Sequence, residues 1–233
     1  IARKSGQPYA FPPFINWDHK ERFGSTEDIE LDKYFVNPLP RLAPGIPFEK
    51  REYAWGYHDI HLPAGNWDLA GHFQSEKYFK HCIDEVRHYF RMKGEGPGEN
   101  ICAIHIRLGD YDDNYHTRLK EDYYLQAIRQ LPKDTDYLVF SDDRIRARSM
   151  SDLLYRELGI SIGVWESSDY IKDFRLMKTC KHFIIGNSSY SLMAAILADH
   201  PAKKIICPKN WFGPAWTVPM ETKDIYPENA IVI

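Results

Sequence analysis

The sequence predicts an α/β protein whose C-terminal half is built on a Rossmann-like parallel sheet. Three observations predict this. From residue 101 onward, short and almost continuously apolar runs alternate with helix-length stretches. The apolar runs lack the in-out alternation of strands with one wet face, so both faces must be covered. Gly and Pro punctuate the alternation where one element has to end before the next begins.

Taken in order, "ICAIHIR", Ile101 to Arg107, reads as a strand, and Glu121 to Leu131 as a helix stopped by Pro132. "DYLVFS", Asp136 to Ser141, is a strand, and Arg144 to Leu158 a helix closed by Gly159. Ser161 to Trp165 is a third strand and Ser168 to Lys181 a capped helix. "FIIG", Phe183 to Gly186, is a fourth strand, Ser189 to Ala198 an apolar helix that stops before Pro201, and "KIIC", Lys204 to Cys207, a fifth strand.

Before this region the chain is irregular and rich in Tyr, Trp, His and Phe, as in "YAWGYHDIHLPAGNWDLAGHFQSEKYF". Ser75 can cap a helix whose apolar positions Tyr78, Phe79, Cys82, Ile83, Val86, Tyr89 and Phe90 recur at helical spacing. "KGEGPGEN", Lys93 to Asn100, cannot continue a helix and marks the boundary between domains 1–93 and 94–233. "IARKSGQPYAF" reads as the last turn of a helix closed by Gly6, then a short strand from Pro8 to Phe11. A helix that opens at residue 1 without a cap leads us to expect an upstream segment.

With 233 residues, 43% of them hydrophobic, the chain can bury one sizeable core or two modest ones. A net charge of -3 supplies no global attraction to nucleic acid, so an anionic ligand has to be gripped locally. No apolar run approaches the ~20 residues of a membrane-spanning helix. Cys82, Cys102, Cys180 and Cys207 are widely spaced, without a C-x-x-C pair, and read as reduced thiols rather than as a disulfide framework or a zinc site.

The chemistry-bearing residues cluster where the strands end. In a strand, residues two apart share a face, so His105 and Arg107 point together before the chain turns through Gly109 and Asp110. The second strand delivers Ser141, Asp142 and Asp143, and the fourth delivers Asn187, Ser188 and Ser189. Ligands of open α/β sheets bind beyond the carboxyl ends of the strands, and all three clusters fall there. Arg107 offers a planar fork that suits a diphosphate. Gly186-Asn187-Ser188-Ser189 runs straight into a helix start, where free amides and the positive dipole end favour a phosphate. An aspartate at the Phe140 to Asp143 turn suits guanine donors or a ribose. Singly, His105 fits a core imidazole, Arg107 an ion-pair partner of Asp110, and the Asp, Asn and Ser residues fit caps and turns. Their convergence on one rim favours a nucleotide-diphosphate site that has no G-x-x-x-x-G-K-[ST] loop. A rival reading is a divalent metal held by Asp110, Asp112 and Asp113 with His116 nearby. The Tyr53 to Phe79 aromatics fit core filling or a sugar-stacking surface.

"HIRLGDY" resembles the H-x-R-x-G-D motif of the α-1,2-fucosyltransferases, glycosyltransferase family 11. "VFSDD", "DFRLMKTCKHFIIGNSSYSLMAAIL" and "IICPKNWF" follow in that family's order, and "GHFQSEKYF" is similar to its upstream segment, so the resemblance covers roughly Gly71 to Phe212. It implies a GT-B-like fold with a smaller, partly truncated N-terminal half, because the family's Gly-rich G-N-Q-[LM]-F-Q segment does not precede "IARKSG". It further implies GDP-β-L-fucose as donor, no cofactor and no obligatory metal, and a galactose-terminated glycan as acceptor. By position, Arg107 would grip the β-phosphate and His105 lie against the nucleotide. Asp142 or Asp143 would read guanine or ribose, with Ser141 beside them among the donor-binding residues, and Asn187, Ser188 and Ser189 would hold the diphosphate. On mechanistic grounds, and not from the resemblance, Asp110 or a neighbouring carboxylate, Asp112 or Asp113, is expected to deprotonate the acceptor hydroxyl. Nucleic acid is not an expected partner. The expected location is cytoplasmic or peripheral to a membrane, or the Golgi lumen where an anchor has been removed. Metal-dependent sugar transfer and a non-catalytic nucleotide- or glycan-binding module stay open as alternatives.

Overall fold

The structure is a computed structural model that describes residues 1–2, 4, 6–11, 31–43, 50–54, 56–96, 99–109, 111, 114–216 and 221–233. The chain divides into two compact units, one of Ile1–Phe73 and Lys77–Gly94, the other of Gln74–Glu76 and Glu95–Ile233.

In the first unit, β1 (Lys50–Ala54) pairs in parallel with β2 (Trp67–Gly71), and α1 spans Ile83–Tyr89. The helix expected from Ser75 is broken into two 3₁₀ turns, Glu76–Tyr78 and Lys80–Cys82, before α1 begins. The cause is local: Phe79 and Cys82 have φ of -136° and -135°, outside helical backbone geometry. Tyr78 is buried, and its hydroxyl donates to the Gly56 carbonyl at 2.8 Å and accepts from the His58 amide at 3.1 Å. Near the start, the Gln7 amide bonds the Ala2 carbonyl and Gly6 takes φ +64°, a helical C-terminal turn as expected. The expected strand at Pro8 to Phe11 is reduced to one parallel bridge, Phe11 to Arg41.

The second unit contains a six-stranded, all-parallel sheet of β3 (Glu99–Ile106), β4 (Asp136–Ser141), β5 (Ile162–Val164), β6 (Cys180–Ile184), β7 (Ile205–Cys207) and β8 (Ile231–Val232). Its order, β5-β4-β3-β6-β7-β8, is the 3-2-1-4-5-6 winding of a Rossmann-like sheet. β3 is central: Ile104 lies beside Val139 of β4 on one side and Ile184 of β6 on the other. The intervening helices are α2 (Glu121–Ile128), α3 (Arg144–Leu158), α4 (Tyr170–Thr179) and α5 (Ser189–Leu197).

Several expected boundaries move for identifiable reasons. α2 stops at Ile128 because the next turn tightens to i→i+3 bonds, Gln130 to Ala127 and Leu131 to Ile128, ahead of Pro132. α4 starts at Tyr170, not Ser168, because the Asp169 carboxylate accepts from the Ile171 and Lys172 amides at 3.0 and 3.2 Å. It ends at Thr179 because Cys180 is already extended, with ψ 153°.

Strand alternation sorts the core. Cys102, Ile104 and Ile106, with Val139, Ile184 and Ile206, pack against Tyr124, Ala127 and Ile128 of α2 and Ala147 and Leu154 of α3. The opposite face of β3 carries Ala103 and His105, and Tyr190 of α5 meets the His105 ring there at 5.6 Å. Each fully buried side chain such as Ile104, Phe183 or Leu192 contributes about 2 kcal/mol of burial free energy. The four cysteines form no disulfide among the described residues, and three of them are buried. Among the described residues, no helix is long and apolar enough to cross a membrane.

Candidate functional site

The winding reverses between β3 and β6, the place where open α/β sheets bind their ligands. Gly186, just past β6, lies against the end of β3. A β-carbon built on it would stand 3.2 Å from the His105 carbonyl oxygen, 3.4 Å from His105 Nδ1 and 3.8 Å from the Arg107 amide. The two loops thus meet backbone to backbone. Sequence reading placed both loops on this rim but did not single out Gly186; an isolated Gly at a strand end is the available signal for such an approach.

Arg107 leaves β3 with about a third of its side chain accessible, and its guanidinium lies 5.9 Å from the centre of the Tyr111 ring. Its ion-pair partner among the described residues is Asp142, at 3.0 Å from Nη1 to Oδ2. The same carboxylate accepts from the Leu108 amide at 3.0 Å and the Gly109 amide at 2.9 Å. Asp143 plays a different part. It caps α3 by accepting from the Arg146 amide at 3.1 Å, and its own amide donates to Ser141 Oγ at 3.1 Å.

α5 begins differently from α3 and α4. Ser188 occupies the cap position in extended conformation, φ -134° and ψ 128°, but its side chain makes no capping bond. The first-turn amides of a helix have no intrahelical partner, so this end offers donors and a positive dipole to an anion. Ser188 is half-buried and Ser189 exposed.

His105 is 5% exposed, and its Nδ1 is buried without a hydrogen-bond partner. Burial first, then the Arg107 guanidinium, pull its pKa down to about 4 against the opposing Asp142 carboxylate, so the imidazole is neutral at pH 7. Asn187 is almost fully buried, and its side-chain nitrogen donates to the Thr117 and Trp211 carbonyls at 2.9 and 2.8 Å. Its carbonyl accepts from the Tyr111 hydroxyl at 2.7 Å. The amide thereby ties the loop after β3 to the loop after β7. Further bonds reinforce that tie, from Thr117 Oγ1 to the Phe212 carbonyl at 3.1 Å and from the Gly213 amide to the Tyr115 carbonyl at 2.9 Å. Tyr111, Thr117 and Trp211 were not among the sequence candidates, since only the fold brings positions so distant in the chain together. His116 stacks on Tyr111 with ring centres 4.5 Å apart. Asp110, Asp112 and Asp113 lie outside the described residues.

The structure therefore brings His105, Arg107, Asp142 and the Asn187-Ser188-Ser189 turn to the carboxyl ends of the adjacent strands β3, β4 and β6, while Ser141 and Asp143 serve the start of α3. A parallel sheet of this winding, with helices between its strands, defines a Rossmann-like α/β protein. Residues 45–229 match the family described as glycosyl transferase family 11, and the chain belongs to that family. It is similar to the alpha-1,2-colitosyltransferase of Escherichia coli, 27% identical over 196 residues that make up 76% of this chain and 67% of that protein. It is also similar to the O-antigen biosynthesis glycosyltransferase WbnK of Escherichia coli, 34% identical over 122 residues, 49% of this chain and 40% of that one. No solved structure matches the chain significantly.

Proposed function

We propose that the protein moves L-fucose from GDP-β-L-fucose to the 2-hydroxyl of a terminal sugar, galactose in a glycan acceptor, with inversion at the anomeric carbon. Family membership supports glycosyl transfer in general. The observation that supports a nucleotide-diphosphate donor is that Arg107 and the uncapped start of α5 follow the two strands, β3 and β6, that flank the switch point. Together they provide a guanidinium fork and backbone amides for two linked phosphates. His105, neutral at pH 7, lies against the same guest without adding charge.

In the proposed reaction the acceptor oxygen forms a bond to C1 while the bond from C1 to the phosphate oxygen breaks. GDP leaves with the electron pair, and the hydroxyl proton passes to a carboxylate, assigned to Asp110 with Asp112 and Asp113 as neighbours able to replace it. Negative charge grows on the leaving phosphate as the bond breaks. Arg107 and the α5 amides then bind the transition state more strongly than the substrate, which is how they lower the barrier. No metal is required where such donors neutralise the leaving group. The name of one relative specifies an α-1,2 linkage, which agrees with attack by a 2-hydroxyl, and a colitosyl group, which makes a nucleotide-activated colitose the competing donor to test.

Isothermal titration with GDP, followed by product analysis on galactose-terminated acceptors with each donor, tests the reading. Transfer from GDP-fucose that persists in EDTA is expected. Transfer from the colitose donor alone would correct the sugar, loss of transfer in EDTA would establish the metal route, and GDP binding without any transfer would leave a binding module.

A further inference from the structure

Asp142 stands on the loop after β4, yet every described contact of its carboxylate goes to the loop after β3. Oδ1 accepts from the Leu108 amide at 3.0 Å, and Oδ2 accepts from the Gly109 amide at 2.9 Å and from Arg107 Nη1 at 3.0 Å. An ionised carboxylate has about four lone-pair positions, so this grip uses most of its capacity. Gly109 is shaped around the grip: a β-carbon there would lie 2.6 Å from Asp142 Oδ2 and 3.3 Å from its Cγ. No side chain fits that gap without driving the carboxylate away.

From these contacts we infer that Asp142 is a positioning residue, holding Arg107 and the Leu108-Gly109 backbone in the form that receives the β-phosphate, and that it does not read guanine or ribose. The inference rests on the nucleotide-diphosphate reading above. A planar guanidinium binds phosphate well only in a fixed orientation, and Asp142 fixes it while also holding two successive amides of the same turn. An asparagine at 142 keeps one acceptor but turns the other position into a donor. That donor faces either an amide or the guanidinium.

The test compares GDP, IDP and GMP binding to the wild type, Asp142→Asn and Gly109→Ala by titration calorimetry. Losing a charge-assisted bond that orients Arg107 weakens GDP and IDP by about tenfold to a hundredfold. GMP, which lacks the β-phosphate, should change less than about twofold, the size of change expected when no bond is lost. A residue that merely kept the protein folded would weaken all three ligands alike. Gly109→Ala keeps Asp142 but displaces its carboxylate, and should repeat the pattern even where Asp142→Asn fails to fold. Turnover provides a further check: the effects of Arg107→Lys and Asp142→Asn should be less than additive, because both act on one phosphate contact. Loss confined to GDP, with IDP spared, would make Asp142 a base reader and overturn the inference. So would unchanged GDP binding in both variants, or equal loss of GMP. A wild type that binds no nucleotide would overturn the donor reading itself.

Discussion

Replacing Gly186 by alanine tests the packing on which the site stands. The added carbon would sit 3.2 Å from the His105 carbonyl oxygen and 3.4 Å from the His105 ring nitrogen. Gly186 does not use a left-handed φ, so the cost comes from crowding and not from backbone strain. Relief requires the β3 end to move by a few tenths of an ångström. Overpacking of this kind costs about 1–3 kcal/mol, and the stiffer unfolded chain of an alanine variant returns about 0.4–1 kcal/mol. The net loss is about 1 kcal/mol, which lowers Tm by about 2–4 °C in a domain of this size. Because the same movement displaces Arg107 relative to α5, GDP affinity should fall by roughly tenfold, in proportion to the sensitivity of oriented contacts to small misplacements. Differential scanning fluorimetry and GDP titration measure the two effects. A Gly186→Ala protein that binds GDP as tightly as the wild type refutes the argument, whatever its Tm, because it would show that the approach of the two loops does not shape the ligand site.

Asn187→Asp should lower stability by roughly 2–4 kcal/mol in urea unfolding, because a carboxylate oxygen would then face the Thr117 and Trp211 carbonyls in a buried position; an unchanged midpoint would show that the tie carries no weight. His105 titrates near 4 when folded, against an ordinary 6.5, so the unfolded chain takes up a proton in that window while the native protein does not. Its contribution is complete above pH 6.5 and is lost as pH falls toward 4, by about 3 kcal/mol in all. His105→Gln should lose that share of the acid sensitivity, leaving the share of His182, also pulled down to about 4 by burial and nearby cations; an unaltered slope contradicts the assignment.

Most of the sheet was legible because its strands are largely apolar and its helices are closed by unambiguous residues. Asp143 starts α3 and Gly159, at φ +68°, ends it, as their residue types require. β8 escaped notice because two residues at the end of the chain, Ile231 and Val232, carry no periodicity of their own and acquire meaning only beside β7. β1 and β2 escaped for the opposite reason, since "KREYA" and "WDLAG" mix charge and small residues without alternation. At the site, residue type and position on the rim were readable, but partnership was not. Asp142 could be placed near the nucleotide from its loop alone, yet its three donors come from residues more than thirty positions earlier. Asn187 likewise reads as a phosphate ligand from its loop, and only the fold shows that its side-chain nitrogen donates to two carbonyls.

The most direct measurement is a crystal structure with GDP bound. The account predicts the β-phosphate at the β3/β6 switch point, its oxygens about 3 Å from the Arg107 guanidinium and from the first amides of α5. A diphosphate bound elsewhere, with Arg107 turned away and the α5 start empty, would contradict it.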